Sequence, residues 1–114
     1  MPGPYVPGRG ELIWLDFNPQ AGHEQAGHRP ALVLSGQRYN RLTGMAVCCP
    51  ITTRPKDYPF EVLLDPASQI TGAVLADQVK SVDWRARNAK RAGKAAGGVV
   101  DAVVERVVAL IGSE

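Results

Sequence analysis

The chain has 114 residues, 45% of them hydrophobic and 21% charged, with a formal net charge of +2. These values predict one ordinary globular domain over residues 1–114 with a single core. No apolar run is long enough to span a membrane, and Met1-Pro2-Gly3-Pro4 lacks the basic start and apolar stretch of a signal peptide, so a cytoplasmic protein with no membrane partner is expected.

Residues 1–9 are rich in Pro and Gly and read as an irregular lead-in. Glu11–Phe17 alternates as a strand, with Leu12, Trp14 and Asp16 on one side and Ile13, Leu15 and Phe17 on the other. The second side is fully apolar; the first carries an aromatic beside an acid. Residues 18–29 read as a long connection. It contains most of Glu24-Gln25-Ala26-Gly27-His28-Arg29-Pro30, an acid, an amide, an imidazole and a guanidinium around a glycine hinge. Residues 31–35 read as a short buried strand and 36–44 as a turn or a single helical turn. Residues 45–53 form a strand of β-branched and small residues. A polar loop over 54–59 precedes a strand at 60–64, and a Pro- and Gly-punctuated loop covers 65–72. Residues 73–82 read as one or two short strands broken near Asp77, and 87–95 as a basic edge strand.

The last segment places Val99-Val100, Val103-Val104, Val107-Val108 and Leu110-Ile111 at intervals of about four residues. Valine favours strands, but a strand would alternate singly. The spacing therefore predicts a helix with an apolar stripe at 100, 103, 104, 107, 108 and 111. Gly97-Gly98 then ends the preceding strand, and Gly112 is placed as a C-cap. The fold class is mainly β with a C-terminal helix: a small, bent antiparallel sheet or barrel capped by that helix. A barrel this small, with charged loops, suits burial of part of its surface against a second copy. No internal repeats or low-complexity tracts interrupt it.

Cys48 and Cys49 are the only cysteines. Strand neighbours point to opposite faces, so the two neither share a metal nor pair readily. They read as small core fillers in a reducing compartment. Residues 80–94 carry Lys80, Arg85, Arg87, Lys90, Arg91 and Lys94 against Asp83, six positive charges and one negative. That block reads equally as a polyanion footprint and as a solvated edge whose cations discourage pairing between sheets. The acid, imidazole and guanidinium of residues 24–29 supply what phosphodiester cleavage needs, a group to move a proton and a fixed cation. Taken alone, the same loop reads more simply as turn residues with solvated charges.

Several stretches in order carry a resemblance. They are Gly10-Glu11-Leu12-Ile13-Trp14 with Asp16-Phe17, the 24–30 motif, Tyr39-Asn40, Thr43-Gly44-Met45 and Pro50-Ile51-Thr52-Thr53. Tyr58-Pro59-Phe60-Glu61-Val62, Leu75-Ala76-Asp77-Gln78-Val79-Lys80-Ser81 and Trp84-Arg85-Ala86-Arg87 continue it. Together they resemble the MazF/PemK-type toxins, endoribonucleases of type II toxin–antitoxin pairs. The resemblance covers nearly the whole chain and is weakest at the extreme N-terminus, over 65–72 and within the C-terminal helix. It implies a small SH3-like barrel of the plasmid-toxin (MazF/CcdB-like) type and a two-fold homodimer. It also implies sequence-specific, metal-independent cleavage of single-stranded RNA. The substrate's 2′-hydroxyl attacks the adjacent phosphate, leaving 2′,3′-cyclic phosphate and 5′-hydroxyl ends. Loss of mRNA would stop translation and growth. A cognate MazE-like antitoxin with an acidic C-terminal tail is the expected protein partner, and no cofactor is expected. No His, Cys, Asp or Glu cluster shows zinc-ligand spacing, and a nucleophile already tethered to the phosphate suits a metal-free route.

The resemblance assigns candidate residues. Arg29 matches the catalytic arginine, whose permanent charge and fork geometry suit a developing phosphate dianion; it also reads as a structural partner of Glu24. Thr52 matches the second catalytic position, a hydroxyl donor to a phosphoryl oxygen, and otherwise reads as strand filler. Glu24 is the candidate for assisting deprotonation of the 2′-hydroxyl, or for orienting Arg29. His28 stays open between proton transfer and stacking on a base; His23 receives no role. For RNA recognition, Trp14 and Tyr58 are aromatic platforms, Asp16, Asn40, Asp77 and Gln78 suit base edges, and Lys80 suits phosphate. Trp14 reads equally as an interface or core residue. Arg85 and Arg87 either widen a positive groove or keep an edge soluble. Two alternatives are a same-fold, CcdB-like gyrase poison and a non-catalytic nucleic-acid-binding barrel; Arg29 and Thr52 together argue for the nuclease. The target triplet stays open, with ACA the first expectation and the loops at 18–23 and 65–72 able to shift it.

Overall fold

The alternation of Glu11–Phe17 produces a strand, β1, that pairs antiparallel with β2 (Gly27–Val33). The computed structural model describes residues 5–17 and 27–112. Helix α1 (Gln37–Thr43) leads to β3 (Met45–Thr52). Then follow β4 (Glu61–Leu63), β5 (Ala73–Leu75), β6 (Lys80–Asp83), β7 (Lys90–Lys94) and α2 (Gly97–Gly112). A 3-10 turn at Ala76–Gln78 separates β5 from β6, the break expected near Asp77. The sheet runs β4-β5-β3-β2-β1-β7, with β6 also on β3, and its pairings are antiparallel. The basic strand β7 lies at the sheet edge as expected, but it is shorter than residues 87–95.

Strand alternation sorts the side chains into two cores where a single one was expected. Leu12, Leu32, Cys49, Ile51, Val62 and Val74 pack with Val99 and Val103 of α2 on one face. Ile13, Leu15, Ala31, Val33, Ala46, Cys48 and Val82 gather around Trp84 on the other, with Tyr5 and Val6 packed against them. One helix covers only one face of a sheet, so the lead-in and the Trp84 turn cover the second. Each fully buried Leu or Ile contributes about 1.5–3 kcal/mol relative to exposure. Cys48 and Cys49 point into opposite cores. Burial pushes both thiols up to about 12, Cys49 with help from the Asp77 charge, so neither is a nucleophile at neutral pH.

Four sequence expectations change. First, β2 begins at Gly27, so His28, Arg29 and Pro30 lie on a strand rather than in the connection. Their partners Asp16, Leu15 and Trp14 on β1 impose it. Second, residues 36–44 hold a true short helix, whose only buried residue is Asn40. Third, Asn40 is fully buried, which puts its amide out of reach of a base edge. Its Nδ2 donates to the Pro7 carbonyl at 2.8 Å and the Ser35 carbonyl at 3.1 Å, its Oδ1 accepts from Ser35 Oγ, and its own carbonyl accepts from Trp84 Nε1 at 2.9 Å. It is a structural fastener between lead-in, helix and Trp84. Fourth, Gly97 and Gly98 open α2 rather than end a strand, and Gly112 is the last helical residue. The packed stripe centres on Val99 and Val103, while Val108 and Ile111 are exposed at 58% and 75%. The last turn of the helix overshoots the face it covers.

The lead-in is clamped by Glu11. Its carboxylate accepts from the Tyr5 hydroxyl, from the Gly8 N–H at 2.8 Å and from Arg91 Nε at 3.1 Å. Burial works to raise the carboxyl, but these three donors outweigh it and hold it below its ordinary 4.5. A depressed folded pKa stabilises the fold above the unfolded value and loses that contribution as pH falls through the folded one. Thermal melts should therefore show a fall in Tm below about pH 4.5 that is shallower in Glu11→Gln. That variant should also cost about 1–3 kcal/mol at pH 7. An acid slope identical in wild type and variant would contradict the clamp.

Candidate active site

The β2–β3 ladder runs only from Val33–Cys48 to Ala31–Pro50. Beyond that pair, β2 stays on β1 through Pro30, Arg29 and His28, and β3 stays on β5 through Ile51 and Thr52. The fork is flanked by Pro30 and Pro50; Pro30 falls where the next N–H would donate to β3, and it has none to extend the ladder. A groove of about 850 Å³ opens there, lined by Trp14, His28, Arg29, Thr52, Gln78 and Lys80 among others. It adjoins a hollow of about 470 Å³ lined by Arg54, Tyr58 and Asp77, with Thr52 and Gln78 bordering both.

Register decides which of these side chains act together. Arg29 lies opposite Leu15, and two residues on Ala31 lies opposite Pro50. Thr52 is two residues past Pro50, and Lys80 lies opposite Cys48. With a two-residue period, Arg29, Thr52 and Lys80 project from one face, that of the Trp84 core. Trp14, Asp16 and His28 project from the other. There His28 Nδ1 meets Asp16 Oδ1 at 2.8 Å, Asn88 Nδ2 donates to Asp16 Oδ2 at 3.0 Å, and Trp14 meets the imidazole edge-on at 6.5 Å. Both Asp16 oxygens are thus already engaged.

Thr52 is positioned from both sides. Its Oγ1 accepts the Arg54 N–H at 3.1 Å, which leaves its own proton to donate. Gly72 abuts its backbone so closely that a Cβ there would lie 2.1 Å from the Thr52 carbonyl oxygen. At φ +140° Gly72 also holds a conformation that other residues rarely adopt. In the neighbouring hollow, the Asp77 carboxylate hydrogen-bonds the exposed Tyr58 phenol and raises its pKa. Glu61 fixes that loop by accepting the Lys56 N–H at 2.9 Å and the Tyr58 N–H at 3.3 Å.

The basic block over 80–94 does not form one footprint. Lys80 lines the groove, Arg85 lies 4.8 Å over the Trp84 ring, Arg87 Nη1 reaches the Asp16 carbonyl at 3.4 Å, and Arg91 pairs with Glu11. Glu24 and His23 lie outside the described residues. Gln69 and Thr71 also line the groove; the sequence marked their loop, 65–72, as able to shift the target but gave neither residue a role, and the close approach of Gly72 is visible only in the structure. Among the described residues, no group of three His, Cys, Asp or Glu side chains is placed to hold a metal ion. No helix among them is long and apolar enough to cross a membrane.

Comparison with known proteins gives consistent results. The sequence pattern of the PemK-like, MazF-like toxins of type II toxin–antitoxin systems matches residues 8–111. The endoribonuclease toxin MazF of Escherichia coli (strain K12) is 52% identical over 108 residues, 95% of this chain and 96% of its own length. The endoribonuclease toxin ChpB of the same strain is 40% identical, covering 90% and 92%. A chain of the MazE-MazF crystal structure (Form-II) from Deinococcus radiodurans aligns with a TM-score of 0.91 at 49% identity, covering 97% of this chain and all of that one. The chain belongs to the PemK-like, MazF-like toxins of type II toxin–antitoxin systems.

Proposed function

We propose that this protein is a metal-independent endoribonuclease toxin that cuts single-stranded RNA in the β2–β3 fork. The observation that carries the reading is the register that sends Arg29, Thr52 and Lys80 from three strands to one face. A phosphate on that face has a guanidinium, a hydroxyl and an ammonium carried to it by strands. The 2′-oxygen attacks the adjacent phosphorus and the bond to the 5′-oxygen breaks, giving a 2′,3′-cyclic phosphate and a 5′-hydroxyl. The 2′-proton leaves to a base, a role for Glu24, which precedes β2 in the chain. The departing 5′-oxygen gains a proton from water. Arg29 stabilises the extra negative charge through its planar fork, and Thr52 donates to a phosphoryl oxygen.

His28 projects away from Arg29, which favours stacking beside Trp14 over proton transfer. Asp16 then orients His28 rather than reading a base. Tyr58, Asp77 and Gln78 line the continuation of the groove and offer one ring and two edge-bonding groups to successive bases. The active form is a homodimer in the cytoplasm. Its inhibitor is a MazE-like antitoxin whose acidic tail is drawn to the same positive groove.

The chemistry is tested by mapping 5′ ends on long mixed-sequence RNA. Cleavage should persist in EDTA and leave 5′-hydroxyls, and a 2′-deoxy nucleotide on the 5′ side of the cut should abolish it. Cutting that continued past the deoxy position would contradict the mechanism. Catalysis and binding should also separate. Arg29→Ala should slow cleavage by on the order of a hundredfold or more with a smaller change in affinity. Lys80→Ala should mainly weaken binding and reduce the salt slope by about 0.7. Equal losses of rate and affinity in Arg29→Ala would make Arg29 a binding residue.

A further inference from the structure

The loop over residues 65–72 forms the wall of the groove that the mechanism does not use, and it is fastened at every turn. The Leu64 N–H donates to the Gly72 carbonyl at 2.9 Å and closes the base of the loop. Asp65 Oδ1 accepts the Ala96 N–H at 3.2 Å, just before α2, and the Ser68 N–H returns to the Asp65 carbonyl at 3.0 Å. Ile70 is buried in the α2-side core. Its two neighbours, Gln69 and Thr71, are exposed and line the groove.

Both are held in place by glycines. A Cβ on Gly93 would lie 2.7 Å from Gln69 Cγ, so the stem of Gln69 lies against bare β7 backbone. Thr71 precedes Gly72, the residue pressed against the Thr52 carbonyl, and lines the same groove as Thr52. Among the described residues, neither the Gln69 carboxamide nor the Thr71 hydroxyl is taken up by an intramolecular hydrogen bond. Polar groups on a rigid loop, with their hydrogen-bonding capacity unspent and facing a groove, suit recognition better than packing.

We infer that Gln69 and Thr71 determine the sequence specificity of cleavage by hydrogen-bonding the edge of a base next to the scissile phosphate. This rests on the reading of the groove as an RNA-cleavage site. A carboxamide offers a donor and an acceptor side by side, the pattern that pairs bidentately with adenine. A single strand can turn an unstacked base edge toward it. The adjacent Thr71 hydroxyl adds one further donor or acceptor.

The test is to map cleavage ends on a mixed-sequence RNA pool for wild type, Gln69→Ala, Gln69→Glu and Thr71→Val, with a thermal melt of each. In Gln69→Ala, the preference for the best site over sites differing from it by one base should fall by on the order of tenfold, the scale of one lost bidentate pair. Gln69→Glu, which keeps the shape but only accepts, should move the preference to a different base at that position. Thr71→Val should relax the preference less. Cutting should still require the 2′-hydroxyl in all of them. The same ranked sites at the same ratios in all three variants would overturn this inference alone. A wild-type protein that cut no RNA would overturn the reading of the groove as well.

Discussion

At Ala31–Pro50 the β2–β3 ladder ends, and beyond it each strand keeps hydrogen bonds on its outer side only, β2 to β1 and β3 to β5. Backbone groups that lose a strand partner need water or a ligand, so the fork is wet and accessible while its walls remain strands. Pro30 helps keep the opening, since its nitrogen faces β3 and carries no proton to donate across it. Arg29 and Thr52 flank this split, each two residues from a paired position, so ladder register rather than loop conformation sets their direction. A site carried on strands holds its geometry better than one carried on loops. The floor beneath it is the buried face of Leu15, Ala31, Cys48 and Val82.

Burial on both faces is what lets the ladder stop there without loosening the sheet. The α2-side core holds the sheet from one side, and the Trp84 core, closed by Tyr5 and Val6, holds it from the other. Asn40 and Glu11 join these parts through hydrogen bonds to the lead-in, the short helix and β7. The charges of residues 80–94 are divided along the way. Arg85, Arg87 and Arg91 serve packing and the edge, while Lys80 serves the groove. Local charge density in the sequence is thus a poor guide to where a polyanion would lie.

The strong periodicities were legible in the sequence. Alternation in β1, the break at Asp77 and the four-residue spacing of α2 each follow from one dominant pattern. The nature of β2 was hidden, because Gly-His-Arg-Pro has the composition of a turn and becomes a strand only through its partners on β1. Asn40 looked like a surface amide, because its polarity is satisfied by carbonyls at Pro7 and Ser35, the former distant in sequence. Arg29, Thr52 and Lys80 were recognisable individually by resemblance, but their common face needed the register of three ladders. The 65–72 loop was marked in the sequence as able to shift the target, but Gln69 and Thr71 were not singled out, because the Gly72 approach that places the loop is not encoded by composition.

On the proposed reading, the fork brings Arg29 and Thr52 to the same phosphate. A double-mutant cycle on single-turnover cleavage, with Arg29→Ala, Thr52→Val and the pair together, measures this directly. Two donors acting on one transition state should be strongly non-additive, the double variant falling little below the slower single one. Losses that simply multiply would place the two residues at independent tasks and contradict the account.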